Sequence, residues 1–238
     1  MSSQHSQGWL SSTDRSRHGS KSALILVDLQ NDFLPGGALP VPQGSEVISI
    51  ANKLSLRFKH VIATLDWHPL NHASFAANYR ARVPGEIVEI NGVSQILWPT
   101  HCVQQTTGAQ FAPGLDQSRI SCVFHKGTDP EIDSYSGFYD NGHRRSTGLG
   151  EFLKERAIKE LFVMGLATDY CVKFTVLDAV TLGFVTNVVR DGCRAVNLKS
   201  GDEQQSIEEM RMAGAAITDS DAVNPTGSTK SARQKEEC

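Results

Sequence analysis

Six short runs of apolar residues recur along the chain, at 23–27, 60–65, 120–124, 161–165, 184–189 and 215–218. Most are apolar on both of the faces that a strand presents, and several are rich in Val and Ile. A strand of that kind must be covered on both sides, which is the situation of a parallel sheet between layers of helix. Helical patterns lie between many of the runs. Val47, Ile50, Ala51, Leu54 and Phe58 share one face over 45–58, and Phe152, Leu153 and Ala157 share another over 150–158. Val172, Val176, Ala179 and Val180 form a third stripe, and 202–212 is a fourth. Strand and helix alternate, so the expected fold is doubly wound α/β: a mostly parallel, six-stranded sheet with helices on both faces.

The alternation occupies residues 22–222 and shows no linker or repeat, so one domain is expected there. Residues 1–21 are rich in Ser, Arg, His and Gln, and 223–238 are equally poor in apolar groups. Both read as disordered tails. The stretch 67–119 is long and lacks a period, so it should hold hidden elements or a function. A formal charge of −3 gives no reason to expect nucleic acid, and no apolar run approaches the roughly 20 residues that span a bilayer. The five cysteines are odd in number and irregularly spaced. They read as reduced thiols, with a cytoplasmic location expected.

In an open α/β sheet, ligands bind beyond the carboxyl ends of the strands. Asp28 follows the first run, Asp66 and His68 the second, His125 and Lys126 the third, and Cys171 lies just past the fourth. Cys171 is placed where a helix begins. The positive end of a helix dipole favours thiolate, and a neighbouring cation such as Lys126 would favour it further. A carboxylate such as Asp28 could take the proton and return it to a leaving group. Taken one at a time, these residues also read as a buried structural thiol, a solvated lysine and a turn cap. Asp66 and His68 are two apart, so in an extended segment both side chains point the same way. With His101 they make a donor set suited to a divalent transition metal with open positions. His125 is a spare candidate ligand, and His72 is expected to serve a local hydrogen bond.

The stretches ALILVDLQNDFLPGGAL, TLDWHPLNHASF, LWPTHCVQ, HKGTD, YSGF and VMGLATDYCVKFTVLDA occur in that order over residues 22–200. In them the chain resembles the nicotinamidases (pyrazinamidases) of the isochorismatase-like cysteine-hydrolase superfamily. The resemblance implies a catalytic triad of Asp28, Lys126 and Cys171. It implies a metal held by Asp66, His68 and His101, with zinc, iron and manganese all found among relatives. A cis peptide at Leu166-Ala167 is implied as well, with the amides of Ala167 and Cys171 forming an oxyanion hole. Phe33, Trp98, Tyr135 and Tyr170 would enclose a flat ring; without the motif, ordinary core packing is the better reading of them. The expected reaction is hydrolysis of nicotinamide to nicotinate and ammonia through a thioester, in NAD salvage, with pyrazinamide a second substrate. The alternative is a superfamily hydrolase acting on carbamoyl or ureido amides. The expected partner is a small molecule, neither nucleic acid nor membrane. A homo-oligomer is left open.

Overall fold

The computed structural model describes residues 21–223. The two expected tails lie outside those residues, apart from Lys21 and Val223. Six parallel strands form the sheet: β1 (Ser22–Val27), β2 (His60–Asp66), β5 (Cys122–Lys126), β6 (Glu160–Leu166), β7 (Val185–Arg194) and β8 (Ala216–Thr218). Their order across the sheet is β5-β2-β1-β6-β7-β8. The helices are α1 (Glu46–Ser55), α2 (Leu149–Glu155), α3 (Lys173–Thr181) and α4 (Asp202–Met212). The chain winds one way from β1 through α1 to β2, and the other way from β5 through α2, α3 and α4. Right-handed crossovers therefore set α1 on one face and the other three helices on the opposite face. Winding reverses between β1 and β6. The end of that strand pair is where a crevice must open.

Burial matches this layering. Every residue of β1 is buried, as are Val47, Ala51 and Leu54 of α1 and Leu149, Leu153, Val176 and Ala179 on the other helices. Close approach of β1 to β6 depends on Gly165, which has φ +133°. A Cβ there would run into the backbone oxygen of Val27.

Two expectations shift. The third apolar run ends at Phe124, yet β5 continues through His125 and Lys126 because Asp66 of β2 is still in register with Lys126. Within an edge strand the two side chains take opposite faces. Lys126 is buried, whereas His125 is exposed and lies against Trp67. The long stretch 67–119 holds an antiparallel hairpin, β3 (Ile87–Ile90) and β4 (Val93–Ile96). The hairpin stands apart from the main sheet and delivers the buried Gln95 toward the crevice. Among the described residues, no helix is long and apolar enough to cross a membrane.

Candidate active site

Three strand ends meet around one ammonium. Lys126 Nζ lies 2.8 Å from Asp28 Oδ2, 2.7 Å from Asp66 Oδ1 and 3.3 Å from Cys171 Sγ. It also donates to the carbonyl of Ser134 at 3.0 Å. Lys126 and Asp28 are both buried. Burial opposes the lysine charge, but Asp28, Asp66 and Cys171 more than reverse that and hold its pKa well above the usual lysine range. Asp28 sits at the end of β1 with φ +50° and accepts a 2.6 Å hydrogen bond from Thr64 Oγ1. Burial raises the Asp28 pKa, with Lys126 beside it offsetting only part of the effect.

Cys171 is carried by a π-helical turn, Thr168–Val172, that precedes α3. The N–H groups of Tyr170 and Val172 both donate to the Ala167 carbonyl at 3.1 Å, which closes the wide turn. Asp169 ties the turn to the segment after β7, accepting from Val196 N–H at 3.0 Å and Asn197 N–H at 2.8 Å. The peptide Leu166-Ala167 is cis. Opposing influences act on the Cys171 thiol. Burial pushes the Cys171 thiol well above the usual range, Lys126 pulls it down, and Asp28 and Asp66 push it up again. Two carboxylates and a dry site thus oppose one ammonium, and the balance raises the thiol pKa.

On the other side of Asp66 lie two imidazoles. Asp66 Oδ2 is 3.1 Å from His68 Nε2 and 3.4 Å from His101 Nε2. Each ring is oriented from behind, since His68 Nδ1 contacts the Gly127 carbonyl at 2.8 Å and His101 Nδ1 the Pro99 carbonyl at 2.8 Å. That back-side bonding leaves both Nε2 atoms facing the same space, as in metal sites whose ligands are aligned by backbone acceptors. The Nε2 of His68 is buried and makes no directed hydrogen bond. Such an orphan is costly unless something binds it. Donor atoms of Asp66, His68 and His101 all lie within 4.8 Å of one another. One carboxylate and two neutral imidazoles suit a divalent transition metal. Burial opposes ionisation of Asp66, but His68 and Lys126 hold its pKa well below the carboxylate range.

Phe33, Trp98, Tyr135 and Tyr170 line one cavity with Ala167, Cys171, Asp66 and His101. Trp98 meets Tyr170 edge-on at 4.8 Å, and its Nε1 donates to the Tyr135 hydroxyl at 3.1 Å. All the residues singled out from sequence for the triad, the metal set and the aromatic wall are thus gathered at the β1/β6 crevice. His125 is not among them, because it faces away. His72 contacts Ser74 Oγ at 2.7 Å, the local role expected.

Several neighbours were not anticipated from sequence. Gln30 accepts from Asp66 N–H at 2.8 Å and donates to the Asp66 carbonyl at 2.8 Å, clamping that residue's backbone. Asp133, at the cavity wall, lies 4.0 Å from His68 Nε2 and accepts from Gln95 Nε2 at 3.1 Å.

A family model described as the isochorismatase domain matches residues 22–222. The nicotinamidase of Escherichia coli (strain K12) is 52% identical over 201 residues, covering 82% of this chain and 93% of that protein. A solved nicotinamidase/pyrazinamidase of Acinetobacter baumanii superposes with a TM-score of 0.83 at 43% identity, covering 85% of this chain and 97% of that one. The pyrazinamidase of Pyrococcus horikoshii, solved in complex with zinc, gives a TM-score of 0.69 at 36% identity, covering 84% of this chain and 99% of that one.

Proposed function

The chain belongs to the isochorismatase family, and from that premise we propose that it is a metal-dependent cysteine amidohydrolase that converts nicotinamide to nicotinate and ammonia. The observation that carries this reading is the contact of Lys126 Nζ with both Asp28 Oδ2 and Cys171 Sγ, at 2.8 and 3.3 Å. It joins a base, a cation and a nucleophile at the floor of an aromatic cavity.

Asp66, His68 and His101 would hold one divalent ion. Zinc suits the set, as bound in the Pyrococcus horikoshii relative, and iron or manganese would also be accepted. When bound, the ion supplies a Lewis-acidic anchor that orients the pyridine ring. Phe33, Trp98, Tyr135 and Tyr170 sandwich the ring and exclude water.

The chemistry belongs to the triad. With the thiol pKa raised by burial, deprotonation accompanies attack. Asp28 takes the Cys171 proton as sulfur bonds to the carboxamide carbon, and the carbonyl electron pair moves onto oxygen. The Ala167 and Cys171 amides receive that oxyanion. One such donor is typically worth about 2.7–4 kcal/mol. Burial, which raises the Asp28 pKa, makes it a stronger base than an exposed carboxylate. Lys126 stays charged and steadies the carboxylate while its proton is absent. The tetrahedral species collapses as Asp28 delivers the proton to nitrogen, the C–N bond breaks and ammonia leaves. Asp28 then deprotonates a water that adds to the thioester carbon. The C–S bond breaks, and sulfur recovers its proton. In the same reading the enzyme works in the cytoplasm, serves NAD salvage and also accepts pyrazinamide, which differs by one ring nitrogen.

The test is ammonia release from nicotinamide by the zinc-loaded protein and by Cys171→Ala. Release by the former and none by the latter is expected. Equal rates in a clean preparation would sink the proposal. A silent wild type that hydrolyses a carbamoyl or ureido amide would move the site to that substrate class.

A further inference from the structure

Cys102 joins the two segments that carry the imidazoles. It follows His101 in sequence, and its carbonyl accepts the His68 N–H at 3.0 Å. Its own N–H donates to Asp32 Oδ2 at 2.6 Å. The residue sits at φ +45°, a conformation that a non-glycine residue keeps only when its surroundings enforce it. The backbone of this one residue is therefore pinned on both sides of its Cα. What it spaces are the rings of His68 and His101, whose centroids are 5.0 Å apart.

Asp32 is itself braced. Its other carboxylate oxygen accepts from Ala38 N–H at 3.2 Å. Its N–H donates to the Gly108 carbonyl at 3.0 Å, and its carbonyl accepts from Leu39 N–H at 2.9 Å. Gly108 packs so closely on the carboxylate that a Cβ at 108 would overlap it. The carboxylate has one place to be, and from there it reaches the Cys102 amide.

We propose that Asp32 is a positioning residue for the metal site: through the Cys102 backbone it sets the spacing of His68 and His101 without touching the ion. The inference rests on the metal-bound reading above. Loss of the clamp lets the His101 segment drift, and the expected effect is set on the scale known for groups bonded directly to the ligands, about 10–100-fold in metal affinity.

The experiment measures zinc dissociation constants by competition with a chromogenic chelator for the wild type, Asp32→Ala, Asp32→Asn and Gly108→Ala. The unfolding midpoint of each metal-free protein serves as the folding control. Asp32→Ala and Gly108→Ala are expected to weaken zinc by about 10–100-fold. Asp32→Asn keeps an acceptor oxygen and should recover most of the affinity, a rescue that mere structural damage would not show. Wild-type affinity in a folded Asp32→Ala overturns the proposal, as does an Asp32→Asn as weak as the alanine variant. If Asp32→Ala does not fold, Gly108→Ala and Asp32→Asn decide by the same comparison. A wild type that binds zinc but releases no ammonia from nicotinamide removes the proposed reaction and leaves this role standing. A wild type that binds none of zinc, iron and manganese overturns this role together with the metal dependence of the proposed reaction.

Discussion

At the scale of single residues, the site is organised by one buried cation between two buried carboxylates. Replacing Lys126 with Met keeps the aliphatic stem and deletes the charge. Asp28 and Asp66 then face each other without compensation, and breaking a buried pair in this way typically costs about 3–5 kcal/mol. Urea unfolding of the metal-free variant should show a loss of that size, together with loss of ammonia release. A stability unchanged from wild type would mean that Lys126 is dispensable to the cluster. The thiol gives a second prediction, with a definite sign. Burial raises the Cys171 pKa above the ordinary range, so the reactive thiolate is scarce at neutrality and grows as pH rises through the alkaline range. Alkylation of Cys171 by iodoacetamide in the metal-free protein should be slow at about pH 7 and climb through about pH 9. A rate already flat between about pH 6 and 8 would indicate a preformed thiolate, with proton transfer preceding attack. Asp28, Asp66, His68, Lys126 and Cys171 are legible in the sequence as candidates because each is a polar residue at or near the end of an apolar run, whereas His101 stands out only through the WPTHC stretch. Gln30, Asp32 and Asp133 are not legible, because their partners Asp66, Cys102 and Gln95 lie far away in the chain. Nothing local marks such a residue as a brace. The forces on Cys171 are only half visible in the sequence, which shows Lys126 but not the depth of burial that opposes it.

At the scale of elements, the crevice exists because β1 and β6 approach closely where winding reverses. Gly165 makes this approach, and a side chain there meets both a φ of +133° and the Val27 backbone. Backbone strain of about 1–3 kcal/mol and overpacking of about 1–3 kcal/mol together predict that Gly165→Ala lowers stability by roughly 2–6 kcal/mol. Since Ala167 and Cys171 follow on the same strand exit, activity should fall even in the fraction that remains folded. Denaturant unfolding with ammonia release normalised to folded protein checks both; a fully active, fully stable variant would show that the close approach can relax. The strands themselves were legible as runs apolar on both faces, and α4 coincides with its expected 202–212 span. The end of β5 was not. Its apolar run stops at Phe124 because the next two positions serve the crevice and the solvent rather than the core. Pairing with β2 carries the strand on regardless. The β3–β4 hairpin is not legible in the sequence because its strands are only four residues each and mostly half-buried or exposed, so alternation has too little length to show.

At the scale of the whole molecule, the metal-type ligands come from distant parts of the chain. Asp66 ends β2, His68 follows it, and His101 arrives after the hairpin excursion. An unfolded chain cannot hold them together, so an ion bound at Asp66, His68 and His101 must favour the folded state. With free zinc at about 100 times its dissociation constant, the gain is RT ln(1 + [L]/Kd), or about 2.7 kcal/mol. For a domain of this length, 1 kcal/mol moves the midpoint by roughly 2–4 °C, so the expected rise in Tm over the chelator-stripped protein is roughly 5–11 °C. His101→Ala removes one ligand and should abolish most of that rise. His125→Ala, at an exposed ring facing away from the crevice, should keep it whole. The contrast between the two separates a specific site from loose zinc binding by surface histidines, because loose binding would respond to both substitutions alike. A stripped protein that gains nothing from zinc, manganese or iron would leave the orphaned His68 Nε2 without an occupant. The donor set would then be a hydrogen-bonded cluster around Asp66, and substrate orientation would fall to the aromatic wall alone.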